Sequence, residues 1–132
     1  MTYRDRAIMC PRCRLELVRD DARDRWRCSA CGGAVLGVGE VVRQLVETAP
    51  DLVPDGGIGD LPTLGRRSLA PLVPCAACGA DMEPVFLGGV DVDRCYHDQL
   101  LWFDRGELEL VLDVAREQKG ERERSWLVKL LA

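Results

Sequence analysis

No apolar run in this 132-residue chain approaches the roughly 20 residues that a bilayer-crossing helix needs. No apolar stretch near the N-terminus resembles a secretory leader, so the expected setting is soluble and cytoplasmic, with no membrane partner. Basic charge is also short: the formal net charge is −4, whereas nucleic-acid binding normally needs a basic footprint to neutralise phosphates. Aromatic residues make up only 5% of the chain, which argues against an iron site of rubredoxin type. No nucleophile–base pair or paired-carboxylate motif is apparent, and the expectation is a protein that is not an enzyme. Thioredoxin-like redox work would want a C-x-x-C at a helix start within a βαβ pattern, and that pattern is missing. Histidine occurs once, as His97.

What the chain does have is a cysteine pattern that occurs twice. Cys10-Pro11-Arg12-Cys13 is followed after fourteen residues by Cys28-Ser29-Ala30-Cys31. Cys75-Ala76-Ala77-Cys78 is followed after sixteen by Cys95-Tyr96-His97-Asp98. Two close pairs of soft ligands separated by a hairpin-sized stretch suit tetrahedral zinc, because each turn aims two thiolates at one ion. The seven cysteines are an odd number, and their pairs sit too close for a disulfide framework. Reduced thiolates binding two Zn2+ per chain are therefore expected. The ligands are Cys10, Cys13, Cys28 and Cys31 in the first site, and Cys75, Cys78 and Cys95 with a fourth donor in the second.

The two units correspond beyond their cysteines. Leu17 and Met82 each stand four residues after the second cysteine of their unit, and Arg27 and Arg94 each precede the third. Gly39-Glu40-Val41 and Gly106-Glu107-Leu108 begin eleven residues after that third cysteine. Such fixed correspondence marks an internal repeat, a duplicated ribbon. Each unit is near the size where an apolar core alone becomes marginal, so a metal staple is physically sensible.

The expected fold class is a small metal-bound α+β protein of two tandem zinc ribbons, short antiparallel hairpins each followed by a helix. Residues 1–48 would be the first ribbon and helix, 49–71 a linker, 72–120 the second ribbon and helix, and 121–132 a C-terminal amphipathic segment. Residues 49–74 hold five of the seven prolines and four of the thirteen glycines, which marks the linker. Strands are expected around Leu15–Val18, Arg25–Arg27, Met82–Leu87 and Val90–Arg94. Val41, Val42, Leu45 and Val46 have helical spacing, with Pro50 as the stop. Asp104 with Glu107 three residues later matches a capping box, Gly106 would allow close approach of helix and ribbon, and Gly120 would end the second helix. Trp102 and Phe103 should face opposite sides, one covering the second knuckle and the other the helix. If the linker separates the units, Cys28→Ser should unfold the first and spare the second.

The run Val92-Asp93-Arg94-Cys95 followed by Trp102-Phe103-Asp104-Arg105-Gly106-Glu107-Leu108 resembles the bacterial zinc-ribbon family named after transcription factor IIB. That family has a C-P-x-C knuckle, a small hydrophobic residue at the place of Leu17 or Met82, a second knuckle and a W-x-D-x-G-E-L ending. The first unit matches the knuckles, but has Val35 where Trp is expected and Gly37 where Asp is expected. The resemblance implies the ribbon fold and zinc; it is unspecific for function.

Two residues compete for the fourth ligand of the second site. Asp98 has the register of both the repeat and the family, three residues after Cys95. His97 has the better donor for a site with three thiolates, and the expectation favours it on that ground.

Charge divides the chain. Residues 1–31 carry eight arginines against five acidic residues, a local +3, while residues 75–132 carry seven basic against twelve acidic, a local −5. The reading is a non-catalytic zinc-binding interaction or adaptor module with a protein partner and a possible link to transcription. The alternatives are a zinc enzyme with an open position at the second site, and weak nucleic-acid binding through the arginines of the first ribbon.

Overall fold

Strand-forming segments in both units pair into one sheet. The computed structural model describes residues 7–20, 24–49, 58, 72–87 and 89–117. The expectations for the 121–132 segment, for Gly120 and Pro50 as stops, and for most of the linker fall outside those residues. The first unit contains β1 (Val18–Arg19), β2 (Arg25–Arg27) and β3 (Ala34–Gly37), which run into helix α1 (Val38–Thr48). The second contains β4 (Glu83–Leu87), β5 (Val90–Cys95) and β6 (Leu100–Phe103), followed by helix α2 over residues 107–117. The fold is thus the expected small α+β form, two zinc ribbons each followed by a helix. β1 is shorter and later than the sequence suggests, and β3 and β6 are additions to the expected hairpins.

These two added strands join the units. The sheet order is β1-β2-β3-β6-β5-β4, and every neighbouring pair is antiparallel. At its centre Ala34 faces Phe103, Val35 faces Trp102, Leu36 faces Leu101 and Gly37 faces Leu100. The offset that carries Cys28 to Cys95 also carries Val35 to Trp102. The sheet therefore has an approximate two-fold axis through the Val35–Trp102 pair. This continuity corrects the expectation that the units fold separately, because each covers its central strand with the other's.

Side chains alternate between two faces, as strand geometry requires. Ala34, Leu36, Leu101, Phe103, Val85, Leu87, Val90 and Val92 pack with Val41 and Leu45 of α1 and with Leu108, Val111 and Ala115 of α2. On the opposite face Val35, Trp26, Leu100 and Trp102 pack with Ile8, Leu17, Met82 and the buried cysteines. One face thus carries the helices and the other the knuckles. β3 and β6 are buried on both, so their sequences read as apolar runs without alternation.

Helix α1 begins at Gly37 with no side-chain cap, in keeping with the missing aspartate. Val41 and Leu45 face inward and Val46 is exposed. The outer face is tied by Arg43 to Glu40 and Glu47, pairs that each support a helix modestly.

Trp102 and Phe103 do face opposite sides, but Trp102 crosses into the first unit. A Cβ placed on Gly33 would lie 2.3 Å from Trp102 Cη2 and 2.5 Å from Cζ2. The indole thus lies against the first unit's second knuckle, as well as in the cluster that holds Cys75 and Cys95 of its own unit. The close approach belongs to Gly33. Gly106 has open space around it and a φ of 84°, so it is needed for its left-handed backbone. The capping box is half formed: Glu107 Oε2 accepts from the Asp104 amide at 3.0 Å. The Asp104 carboxylate instead accepts from Arg12 Nε and Nη2, both at 3.0 Å, and from Trp102 Nε1 at 3.1 Å.

Candidate metal centres

Four knuckles of one design build the two centres. In the first, the Cys10 amide donates to the Leu15 carbonyl and the Arg14 amide to the Cys10 carbonyl. The amides of Arg12 and Cys13 point at Cys10 Sγ, at 3.4 and 3.3 Å. The Cys75 knuckle repeats this, with Cys75 bonded to the Ala80 carbonyl, Gly79 to the Cys75 carbonyl and Ala77 to Cys75 Sγ. Amides aimed at sulfur favour the thiolate. The residue after the second donor is left-handed in every knuckle: Arg14 at φ 62°, Gly32 at 76°, Gly79 at 77° and Gln99 at 54°.

The last of these values identifies the fourth knuckle. Gln99 turns left-handed just as Gly32 does, so Asp98 stands where Cys31 stands. The Asp98 amide donates to Cys95 Sγ at 3.4 Å, the same inward turn.

Two groups of donor atoms converge. Cys10, Cys13, Cys28 and Cys31 form the first, and Cys75, Cys78, Cys95 and Asp98 the second, each with all ligand atoms within 4.8 Å of one another. A zinc–sulfur tetrahedron with bonds of about 2.3 Å has edges of about 3.8 Å, and an edge between sulfur and a carboxylate oxygen is about 3.5 Å. Cys10 Sγ lies 3.8 Å from Cys31 Sγ, and Cys78 Sγ lies 3.8 Å from Cys95 Sγ. Asp98 Oδ2 lies 3.5 Å from Cys75 Sγ and 3.7 Å from Cys95 Sγ. These separations are too long for disulfides, and all seven cysteines are free thiols. Both groups fit one Zn2+ each.

His97 is corrected by position. It lies two residues after Cys95, on the outside of the turn, and is exposed and apart from the cluster. Donor chemistry favoured the imidazole, but the knuckle returns its fourth residue to the metal. The signal was in the sequence, as the three-residue spacing shared by all four turns.

Electrostatics explain why a cation belongs here. Burial, with the charge of Cys95 adding to it, pushes the Cys75 thiol up to about 12. Backbone amides, that of Cys31 first, draw Cys28 down to about 7 against desolvation. Burial likewise raises Cys10, Cys13 and Cys78, and a bound divalent ion would favour their thiolates instead. Zinc would supply a structural cross-link to these residues, fastening each hairpin to the strand that pairs across the axis.

No curated protein and no solved structure gives a match. Residues 74–114, which carry the second cluster, strands β4 to β6 and most of α2, match the TFIIB-type zinc-ribbon family, described as a transcription factor zinc-finger.

Proposed function

We propose that the chain is a non-catalytic zinc-binding interaction module, an adaptor whose two ions hold one sheet in shape for a protein partner. The observation that carries this reading is the closure of both centres. Each offers four protein donors at tetrahedral spacing, whereas catalytic zinc keeps three and an exchangeable position. Asp98 takes the corner at which an enzyme would hold water. The matching registers on either side of the Val35–Trp102 pair support an origin by duplication of one ribbon. Seven free thiols support a cytoplasmic setting. No helix among the described residues is long and apolar enough to cross a membrane.

Met9 and Leu15, exposed on either side of the first knuckle, are the surface we assign to the partner. The link to transcription extends from the family matched by residues 74–114. The test is purification of the intact, zinc-loaded protein from its own cells. The expected result is a stoichiometric complex with an identified protein, lost in Leu15→Asp while both zinc ions are kept. Zinc-dependent hydrolysis by the full chain, with no such complex, would overturn the proposal.

A further inference from the structure

On the helix face, where α2 begins, the two units line a half-open pocket of about 330 Å3. Its floor is apolar, formed by Ala34, Phe103 and Leu108, and its walls carry Arg25, Arg27 and Arg105. The volume is within the range of small-molecule sites. Two arginines come from β2 of the first unit and one from the start of α2 in the second.

The molecule contains its own comparison. The approximate two-fold axis relates Arg27 to Arg94. On that side the protein itself holds the guanidinium: Arg94 Nη1 donates to the Ile58 carbonyl at 3.2 Å and Nη2 to Gln99 Oε1 at 3.0 Å. The guanidinium also lies 4.4 Å from the centre of the Tyr96 ring. The position related to Gln99 is Gly32, which has no side chain to accept from Arg27. Among the described residues Arg27 and Arg105 make no ion pair. Guanidinium groups with no carboxylate of their own are open to a ligand oxygen.

Charge indicates which ligand. Three arginines face two carboxylates, Asp104 and Glu109. Asp104 is already neutralised by Arg12 from outside the cavity, with paired contacts at 3.0 Å. That leaves an excess of about two positive charges, which a phosphate monoester of charge about −1.5 to −2 balances. Guanidinium forks match phosphate oxygens in pairs, and the apolar floor accepts an organic group beside them. We propose that this cavity binds a small phosphate monoester. Its lining borders the first centre, through Arg27 beside Cys28 and Gly32 beside Cys31, but includes no donor of either group, and it does not depend on the identity of a protein partner.

The test uses the intact, zinc-loaded protein, with inorganic phosphate and ribose 5-phosphate as probes at constant ionic strength. Saturable binding, read by calorimetry and by broadening of the 31P signal, is expected at millimolar phosphate or below, tighter for the ester. Arg27→Ala and Arg105→Ala should each weaken it by about tenfold or more, the loss of one charge-assisted contact. Arg27→Lys should recover part of it, since charge returns without the fork. Arg116→Ala, whose residue pairs with Asp113 on the outer surface of α2, should change nothing. Zinc content and unfolding midpoint should stay as in the parent for all four variants. A 5′-phosphorylated oligonucleotide that binds no tighter than the ester identifies a free metabolite as the source, whereas one that binds far tighter with a steep salt dependence overturns the small-ligand assignment. Lack of saturable phosphate binding, or binding unchanged in Arg27→Ala and Arg105→Ala, overturns the site altogether.

Discussion

The contact between Gly33 and Trp102 predicts a destabilising glycine-to-alanine change at a position where the backbone itself would tolerate alanine. Gly33 is not among the residues with positive φ, so its requirement is one of space. An added Cβ would meet Trp102 Cη2 at 2.3 Å and Cζ2 at 2.5 Å, and the Phe103 carbonyl oxygen at 3.2 Å. The ring must retreat by more than 1 Å to reach an ordinary contact. It has little room, because Trp102 is fully buried and its Nε1 is held by Asp104. Overpacking of this kind costs about 1–3 kcal/mol, and loss of the indole hydrogen bond about 1 kcal/mol. Reduced entropy of the unfolded chain returns about 0.4–1 kcal/mol. The net loss in Gly33→Ala is therefore about 2 kcal/mol, or roughly 6–10 °C in midpoint for a chain of this length.

A double-mutant cycle separates this cause from a generic cost of substitution. Trp102→Val should itself lose about 3–4 kcal/mol, as truncation of a buried aromatic does. In that background Gly33→Ala should cost nothing, or stabilise slightly, because the space is open. The expected coupling is about 2 kcal/mol, measured by urea unfolding with zinc in fixed excess so that metal binding does not vary between variants. A Gly33→Ala loss below about 0.5 kcal/mol, or an equal loss in both backgrounds, would refute the inter-unit packing.

Other consequences are open to measurement. Elemental analysis should find two zinc ions per chain, and chelation should remove the fold of both units in one transition, because β3 and β6 share a sheet. By the same coupling, Cys28→Ser should broaden amide signals of β6 as well as those of β2 and β3; a β6 left as in the parent would contradict it. In cobalt-substituted protein, Asp98→Cys should intensify the thiolate charge-transfer bands toward a four-sulfur site and slow metal release, while His97→Ala should leave spectrum and release rate unchanged. Loss of the second metal in His97→Ala would reinstate the imidazole. Arg12→Ala should cost only about 0.5–1 kcal/mol despite its paired contacts, since its side chain is 49% exposed and that of Asp104 37%, and the effect should shrink in high salt.

Metal chemistry was the most legible part of the sequence. Spacing alone brought the seven cysteines to two centres, and the periodicity of Val41 and Leu45 and the Asp104–Glu107 signal located both helices. The central strands were hidden by their own burial. Leu100-Leu101-Trp102-Phe103 lacks the alternation that reveals a strand with one wet face, because both its faces are covered. His97 prevailed over Asp98 on donor preference, although backbone geometry fixes which residue of a knuckle returns to the ion. Gly33 was legible as part of the Cys31-Gly32-Gly33 knuckle, but its contact with Trp102 was not, since that partner lies in the other unit and 69 positions away.

The same two-fold pairing accounts for where the first unit departs from the family pattern. Val35 occupies the position of the family tryptophan, and across the axis it faces Trp102, its own counterpart. Two indoles at that place would compete for one space on the knuckle face, so a large residue on one side calls for a small one on the other. The neighbours follow suit: Trp102 rests on Gly33, whose counterpart is Leu100, a bulkier residue beside the smaller Val35. The ion pair between Arg12 and Asp104 obeys the same logic, since the related positions hold Ala77 and Gly37, and neither charge is left without its partner. On this argument Val35→Trp should be among the worst single changes in the chain, worse than Trp102→Val by unfolding midpoint, because the second indole has no cavity to enter. It should be partly rescued by Trp102→Val in the same molecule, which restores one large and one small residue. A Val35→Trp variant that unfolds at the parental midpoint would show that the axis has room for both, and the explanation of the first unit's departures would fail.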